Sequence, residues 1–163
     1  MVIWDTNILA LYFSNKLSQD DHLRVKGLVA EMASKREPIG IPAQVWAEFL
    51  EAATENEAAQ SVALFKTNAF KLLSYDMRAA IETSQVAKRG QVARKGNSNK
   101  DRARQAVKVD WQIIAVAIVN NARMILTNDQ PMLTECGRHK VKCLSIRDLE
   151  IPDGSRQQPI VFE

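Results

Sequence analysis

The sequence predicts an α/β fold with a central, mostly parallel sheet covered by helices on both faces. Three observations predict it. Short apolar runs recur at residues 2–4, 38–42, 71–75, 124–127 and 142–146, each of strand length. Stretches with helical apolar spacing separate most of them. The chain has 163 residues, 46% of them hydrophobic, enough for one core without disulfide or metal staples. Strands alternating with helices imply βα units, whose crossovers cover both faces of a parallel sheet.

The elements follow in order. Val2, Ile3 and Trp4 form a buried strand that ends at Asp5, Thr6 and Asn7. A helix continues through Ile8, Leu9, Leu11 and Tyr12. Asp20 and Asp21 offer an N-cap for a helix carrying Leu23, Val25, Leu28, Val29 and Met32. Residues 38–42, punctuated by Pro38 and Pro42, are too short for a helix and read as a strand. A helix starting near Ala43 has Val45, Trp46, Phe49, Leu50 and Ala53 on its apolar face, with Glu48, Glu51 and Glu55 sharing another. A helix over 57–70, a strand over 71–75 and a helix over 76–88 come next. Gly90, Gly96, Asn97 and Asn99 mark a loop. Residues 109–121 form a helix that is apolar almost all round, and strands at 124–127 and 142–146 complete the sheet. Residues 1–150 thus read as one domain and 151–163, rich in Pro, Gln, Asp and Ser, as a poorly ordered tail.

Composition narrows the function. Cys136 and Cys143 are the only cysteines, and with only His22 and His139 they match no zinc spacing. The N-terminal stretch lacks the basic region of a signal peptide, and no apolar run approaches the ~20 residues that span a bilayer. A reducing, cytoplasmic setting is expected. Net charge is +3, but residues 88–108 hold eight basic residues against Asp101 alone, so that strip carries about +7 and the remainder about −4. A basic strip on an acidic body suits a polyanionic partner, although a solvated charged loop has the same composition. Within it, Arg94, Lys95, Lys100, Arg102, Arg104 and Lys108 are the candidate nucleic-acid contacts.

Four acids stand where chemistry is expected. Asp5 and Asp129 each follow an apolar strand, and open parallel sheets place their sites at the carboxyl ends of strands. Asp110 starts the most apolar helix. Glu48 lies among bulky apolar residues. Each also has an ordinary explanation: Asp5 and Asp110 as helix caps, Asp129 as a turn residue, Glu48 as part of a solvated face. Position alone does not choose Glu48 over Glu51. As a set, clustered carboxylates repel one another unless protonated or bridged by a cation. Mg²⁺ or Mn²⁺, which prefer oxygen ligands, would resolve that repulsion and activate water against a phosphoryl group.

These residues resemble the PIN-domain family, in particular single-domain ribonuclease toxins of the VapC type. Four motifs carry the resemblance, in the family's order: Val2 through Asp5, Thr6 and Asn7; Ile41-Pro42 through Trp46 to Glu48; Asp110-Trp111 with its Ala- and Ile-rich helix; and Ile125 through Thr127 to Asp129. The match spans roughly residues 2–149. It implies an α/β/α sandwich and metal-dependent endoribonuclease activity. It assigns Asp5, Glu48, Asp110 and Asp129 to the metal, and Thr6, Asn7 and Thr127 to orienting ligands or the attacking water. It also favours Glu48 over Glu51, and implies a homodimer and a cognate antitoxin. Gln130 to Leu133 depart from the family, which often has a phenylalanine there.

Other classes fit less well. Phosphatases with an aspartyl nucleophile need a second acid two residues on, where Asn7 stands. A receiver domain needs paired early acids, absent here. A catalytically inactive PIN-like module that binds RNA or protein is the remaining alternative.

Overall fold

The computed structural model describes residues 1–95 and 104–152, with side chains for 1–91 and 106–152. Its strands are β1 (Val2–Trp4), β2 (Ile39–Pro42), β3 (Phe70–Leu73), β4 (Met124–Leu126) and β5 (Cys143–Leu144). They form one sheet in the order β3-β2-β1-β4-β5, and every pairing is parallel. The helices among the described residues are α1 (Thr6–Phe13), α2 (Gln19–Ser34), α3 (Ala43–Ala52), α4 (Glu55–Phe65), α5 (Met77–Lys95), α6 (Arg104–Val119) and α7 (Gln130–Arg138), with a 3-10 turn at Ile146–Asp148. This is the α/β/α architecture that the sequence anticipates.

The central strands are apolar throughout because both their faces are covered. Val2, Ile3, Trp4, Ile125 and Leu126 are fully buried. Helices α1, α3 and α4 pack together, as do α5, α6 and α7. The chain moves from β1 outward to β2 and β3, then crosses to β4 and outward to β5. With right-handed crossovers, that reversal puts the two helix groups on opposite faces. It also opens a crevice between the carboxyl ends of β1 and β4, where α/β sheets bind ligands.

Several expected boundaries are corrected. Helix α2 is capped by Ser18, whose hydroxyl accepts from the Asp21 amide; Asp20 and Asp21 sit in the first turn, where the helix dipole favours them. Helix α4 starts two residues before residue 57, behind a Thr54/Glu57 capping box, and stops at Phe65, leaving Phe70 to open β3. Glu55 therefore belongs to α4 and not to the face of α3 that carries Glu48. Helix α5 runs through Gly90 to Lys95, past the start of the expected loop, whose remaining markers Gly96, Asn97 and Asn99 lie outside the described residues. The Gly90 position lies against the Trp111 ring, so this glycine marks a close approach and not a turn. Helix α6 begins at Arg104, five residues before the expected start. Helix α7 was not anticipated, and the strand expected over 142–146 shortens to two residues.

No helix among the described residues is long and apolar enough to cross a membrane. Cys136 and Cys143 are free thiols. The tail beyond residue 152 lies outside the described residues.

Candidate active site

The crevice at the β1/β4 boundary is built on Asp5. The strand carries it to the sheet's end, where its amide donates to the Leu126 carbonyl at 3.0 Å, one step beyond the β1–β4 ladder. The backbone then turns into α1, and Asp5 Oδ1 accepts from the Thr6 amide at 2.8 Å. The capping role offered by the sequence is thus real, but it uses one oxygen. Oδ2 accepts from Asn7 Nδ2 at 2.9 Å and from Thr127 Oγ1 at 2.7 Å.

Thr127, fully buried just past β4, is saturated. Its hydroxyl donates to Asp5 and accepts from Asn7 Nδ2 (2.9 Å) and the Asp129 amide (3.0 Å). Asn7 Oδ1 accepts from the Asn128 amide at 2.9 Å, and Asn128 Oδ1 accepts from the Ile146 amide at 3.1 Å. This relay ties the ends of β1, β4 and β5 into one rigid rim. Asn128 was not singled out in the sequence; an Asn beside an acid reads there as ordinary loop chemistry.

The other acids arrive from separate elements. Asp129 stands at the N-cap of α7, and its side chain makes no capping bond. Asp110 lies in the second turn of α6, not at its start, so it does not cap the helix either; it is 7% exposed. Glu48, on α3, is exposed, and its Oε2 accepts from Thr6 Oγ1 at 2.6 Å. That bond separates Glu48 from Glu51, which has no place in the crevice.

Asp5, Thr6, Asn7, Glu48, Asp110 and Asp129 line one cleft of about 560 Å³, with Ala10, Val109 and Ile113 among its apolar walls. Burial pushes the Asp5 carboxyl above its ordinary range. The negative charges of Glu48 and Asp129 add to that effect, and the hydrogen bonds from Thr127 and Thr6 oppose it. A buried carboxylate facing further carboxylates is in an environment that a cation would relieve. The donor set is entirely oxygen, as a hard divalent ion requires. Among the described residues no three acidic, His or Cys side chains form a ready-made direct shell.

The basic strip is only partly placed. Lys108 is exposed on α6 but does not line the cleft. The side chains of Arg94, Lys95, Lys100, Arg102 and Arg104 lie outside the described residues.

No family model matches the chain, and no curated protein does. Solved structures do. A chain of the DNA-bound VapBC complex of Salmonella typhimurium superposes with a TM-score of 0.58 at 21% identity, covering 89% of this chain and 97% of that one. A chain of VapBC2 from Rickettsia felis, bound to a promoter DNA fragment, gives 0.57 at 18% identity over 89% and 98%. VapBC-1 from nontypeable Haemophilus influenzae gives 0.57 at 14% identity over 90% and 99%. At these identities the likeness establishes a shared fold.

Proposed function

We propose that this chain is a metal-dependent endoribonuclease that hydrolyses RNA phosphodiester bonds, and the toxin of a toxin–antitoxin pair. One observation carries the catalytic reading: four carboxylates from four separate elements meet at the switch point of the sheet, around an Asp5 whose carboxyl is held above its normal range by burial. A carboxylate in that position is one that a bound cation would stabilise. The toxin reading draws on the VapBC complexes that share the fold over nearly the whole chain. It brings with it an antitoxin partner and, by family resemblance, a homodimer.

In this reading Asp5, Glu48, Asp110 and Asp129 hold Mg²⁺ or Mn²⁺, directly or through water. The bound ion supplies Lewis-acid stabilisation of the phosphoryl group and a more acidic water. The chain's own residues set the geometry. Thr127 and Asn7 both donate to Asp5 Oδ2, which fixes the carboxylate's orientation and favours its ionised form. Thr6 donates to Glu48 Oε2 and so fixes the orientation of that carboxylate. Val109 and Ile113 form an apolar wall that limits water on one side of the cleft. Residues of the basic strip, with Arg94, Lys95, Lys100, Arg102, Arg104 and Lys108 as candidates, would neutralise the RNA backbone.

The absence of a ready-made three-ligand shell among the described residues favours one competing reading, a PIN-like module that binds RNA or protein without cutting. Incubating RNA with the purified chain and Mn²⁺ or Mg²⁺ separates the two. The nuclease reading expects cleavage that EDTA abolishes and that returns with added ion. RNA retained intact on the protein under those conditions sinks it in favour of the binding module.

A further inference from the structure

Helix α7 carries a second acid that the site does not use. Glu135 is 2% exposed, and both of its carboxyl oxygens are engaged. Its Oε2 accepts from the Trp111 indole N–H at 3.1 Å, Oε1 pairs with Arg138, and the His139 ring lies 3.9 Å away. Trp111 is itself 7% exposed, and a Cβ added at Gly90 of α5 would stand 2.9 Å from its ring. Three helices therefore meet on one indole: α5 supplies the floor, α6 the ring and α7 the acceptor.

The position of that contact matters. Trp111 directly follows Asp110, so the two side chains leave α6 about 100° apart. Glu135 lies six residues past Asp129, or about 9 Å along α7. The rest of the α6 core face is Val107, Ile113, Ile114, Val116 and alanines, an apolar surface with no directional bond of its own to oppose a small roll or slide. A directional N–H···O bond does not tolerate it, and buried polar contacts are best attested as devices that set register.

We propose that Trp111 and Glu135 are positioning residues for the acidic site. Their bond sets the roll of α6 against α7 and thereby where Asp110 points relative to Asp129. This rests on the metal-site reading above and goes beyond it, since neither residue lines the cleft.

The test uses the full 163-residue chain. Trp111→Phe removes the donor together with the indole atoms nearest Gly90 (Nε1, Cε2 and Cζ2), so the Glu135 variants, which leave the indole in place, carry the comparison. Glu135→Leu removes the acceptor, and Glu135→Gln restores one. Mn²⁺ affinity is read by titration calorimetry and stability by urea unfolding. Supporting residues of this kind change metal affinity 10–100-fold; we expect a loss of about tenfold in Trp111→Phe and Glu135→Leu, with Glu135→Gln close to the parent. Lower stability with unchanged Mn²⁺ affinity in the first two variants would overturn the proposal, because that is the signature of packing alone. A second readout needs no metal. In the ion-free chain, Trp111→Phe should move the amide resonances of Asp129 and Thr127. If the parent binds no Mn²⁺, the metal reading fails by itself, and these resonances still decide: shifts confined to the neighbourhood of residue 111 overturn the positioning role, and shifts reaching Asp129 support it.

Discussion

Thr127 and Asp5 lie 122 residues apart in the chain, and the Thr127 hydroxyl donates to Asp5 Oδ2 at 2.7 Å. Both are buried, and the bond joins the end of β4 to the end of β1. The hydroxyl that orients this carboxylate also receives Asn7 and the Asp129 amide, so one oxygen organises the rim.

Replacing that oxygen with a methyl should be costly although the shape is conserved. In Thr127→Val, Asp5 loses a donor and two further groups lose an acceptor in a buried setting. Leaving buried groups unsatisfied costs roughly 1–3 kcal/mol. Urea unfolding should show a loss in that range for Thr127→Val and a much smaller one for Thr127→Ser. Equal stability of the Val variant and the parent would mean the relay is not structural.

Asp5 predicts a pH dependence. Burial raises its folded pKa, so its contribution to stability is complete below the unfolded value, about 3.9, and is lost as pH rises through the raised value. A divalent ion requires the carboxylate and reverses that loss. Mn²⁺ should therefore raise Tm little at about pH 4 and clearly more at about pH 7. An equal shift at both would detach Asp5 from ion binding.

Asp5→Asn and Asp110→Asn should each reduce Mn²⁺-dependent RNA cleavage by at least about 100-fold, since loss of mere supporting residues already reaches that scale. Circular dichroism should show both variants folded. Cleavage at the parent rate by either one would refute the assignment.

Glu48 and Glu51 provide an internal control. Only Glu48 accepts from Thr6 and lines the cleft. Glu48→Gln should lower cleavage sharply, about tenfold or more. Glu51→Gln should leave it near the parent rate. The reverse ranking would move the site one turn along α3.

Gly90→Ala sets two effects against each other. Alanine in a helix interior gains about 0.5–1 kcal/mol over glycine. Overpacking a filled contact costs about 1–3 kcal/mol. The nearest atoms belong to the Trp111 ring, whose Nε1 is bonded to Glu135, so the ring has little room to yield. Net destabilisation of about 1 kcal/mol or more is expected in urea unfolding, and a gain in stability would show that the indole moves freely.

Much of this protein is written locally. The apolar runs at Val2–Trp4, Ile39–Pro42 and Met124–Leu126 declare buried strands, because a parallel sheet covered on both faces leaves no polar positions. Asp5 and Asp129 are legible as strand-end acids for the same reason. The Thr54/Glu57 capping box is a local signal as well, and it starts α4 two residues before the position that apolar spacing alone predicts. What the chain does not declare locally depends on partners distant in sequence. Gly90 reads as a loop residue until the Trp111 ring is seen against it. Asp110 reads as a helix start until α6 is seen to begin a turn and a half earlier. Glu48 is indistinguishable from Glu51 by spacing, and a single hydroxyl from Thr6, 42 residues away, separates them. The four acids are thus each visible in sequence, since local pattern sets which element ends where. Their meeting in one cleft is decided by tertiary structure, since only the order β3-β2-β1-β4-β5 brings the ends of β1 and β4 side by side.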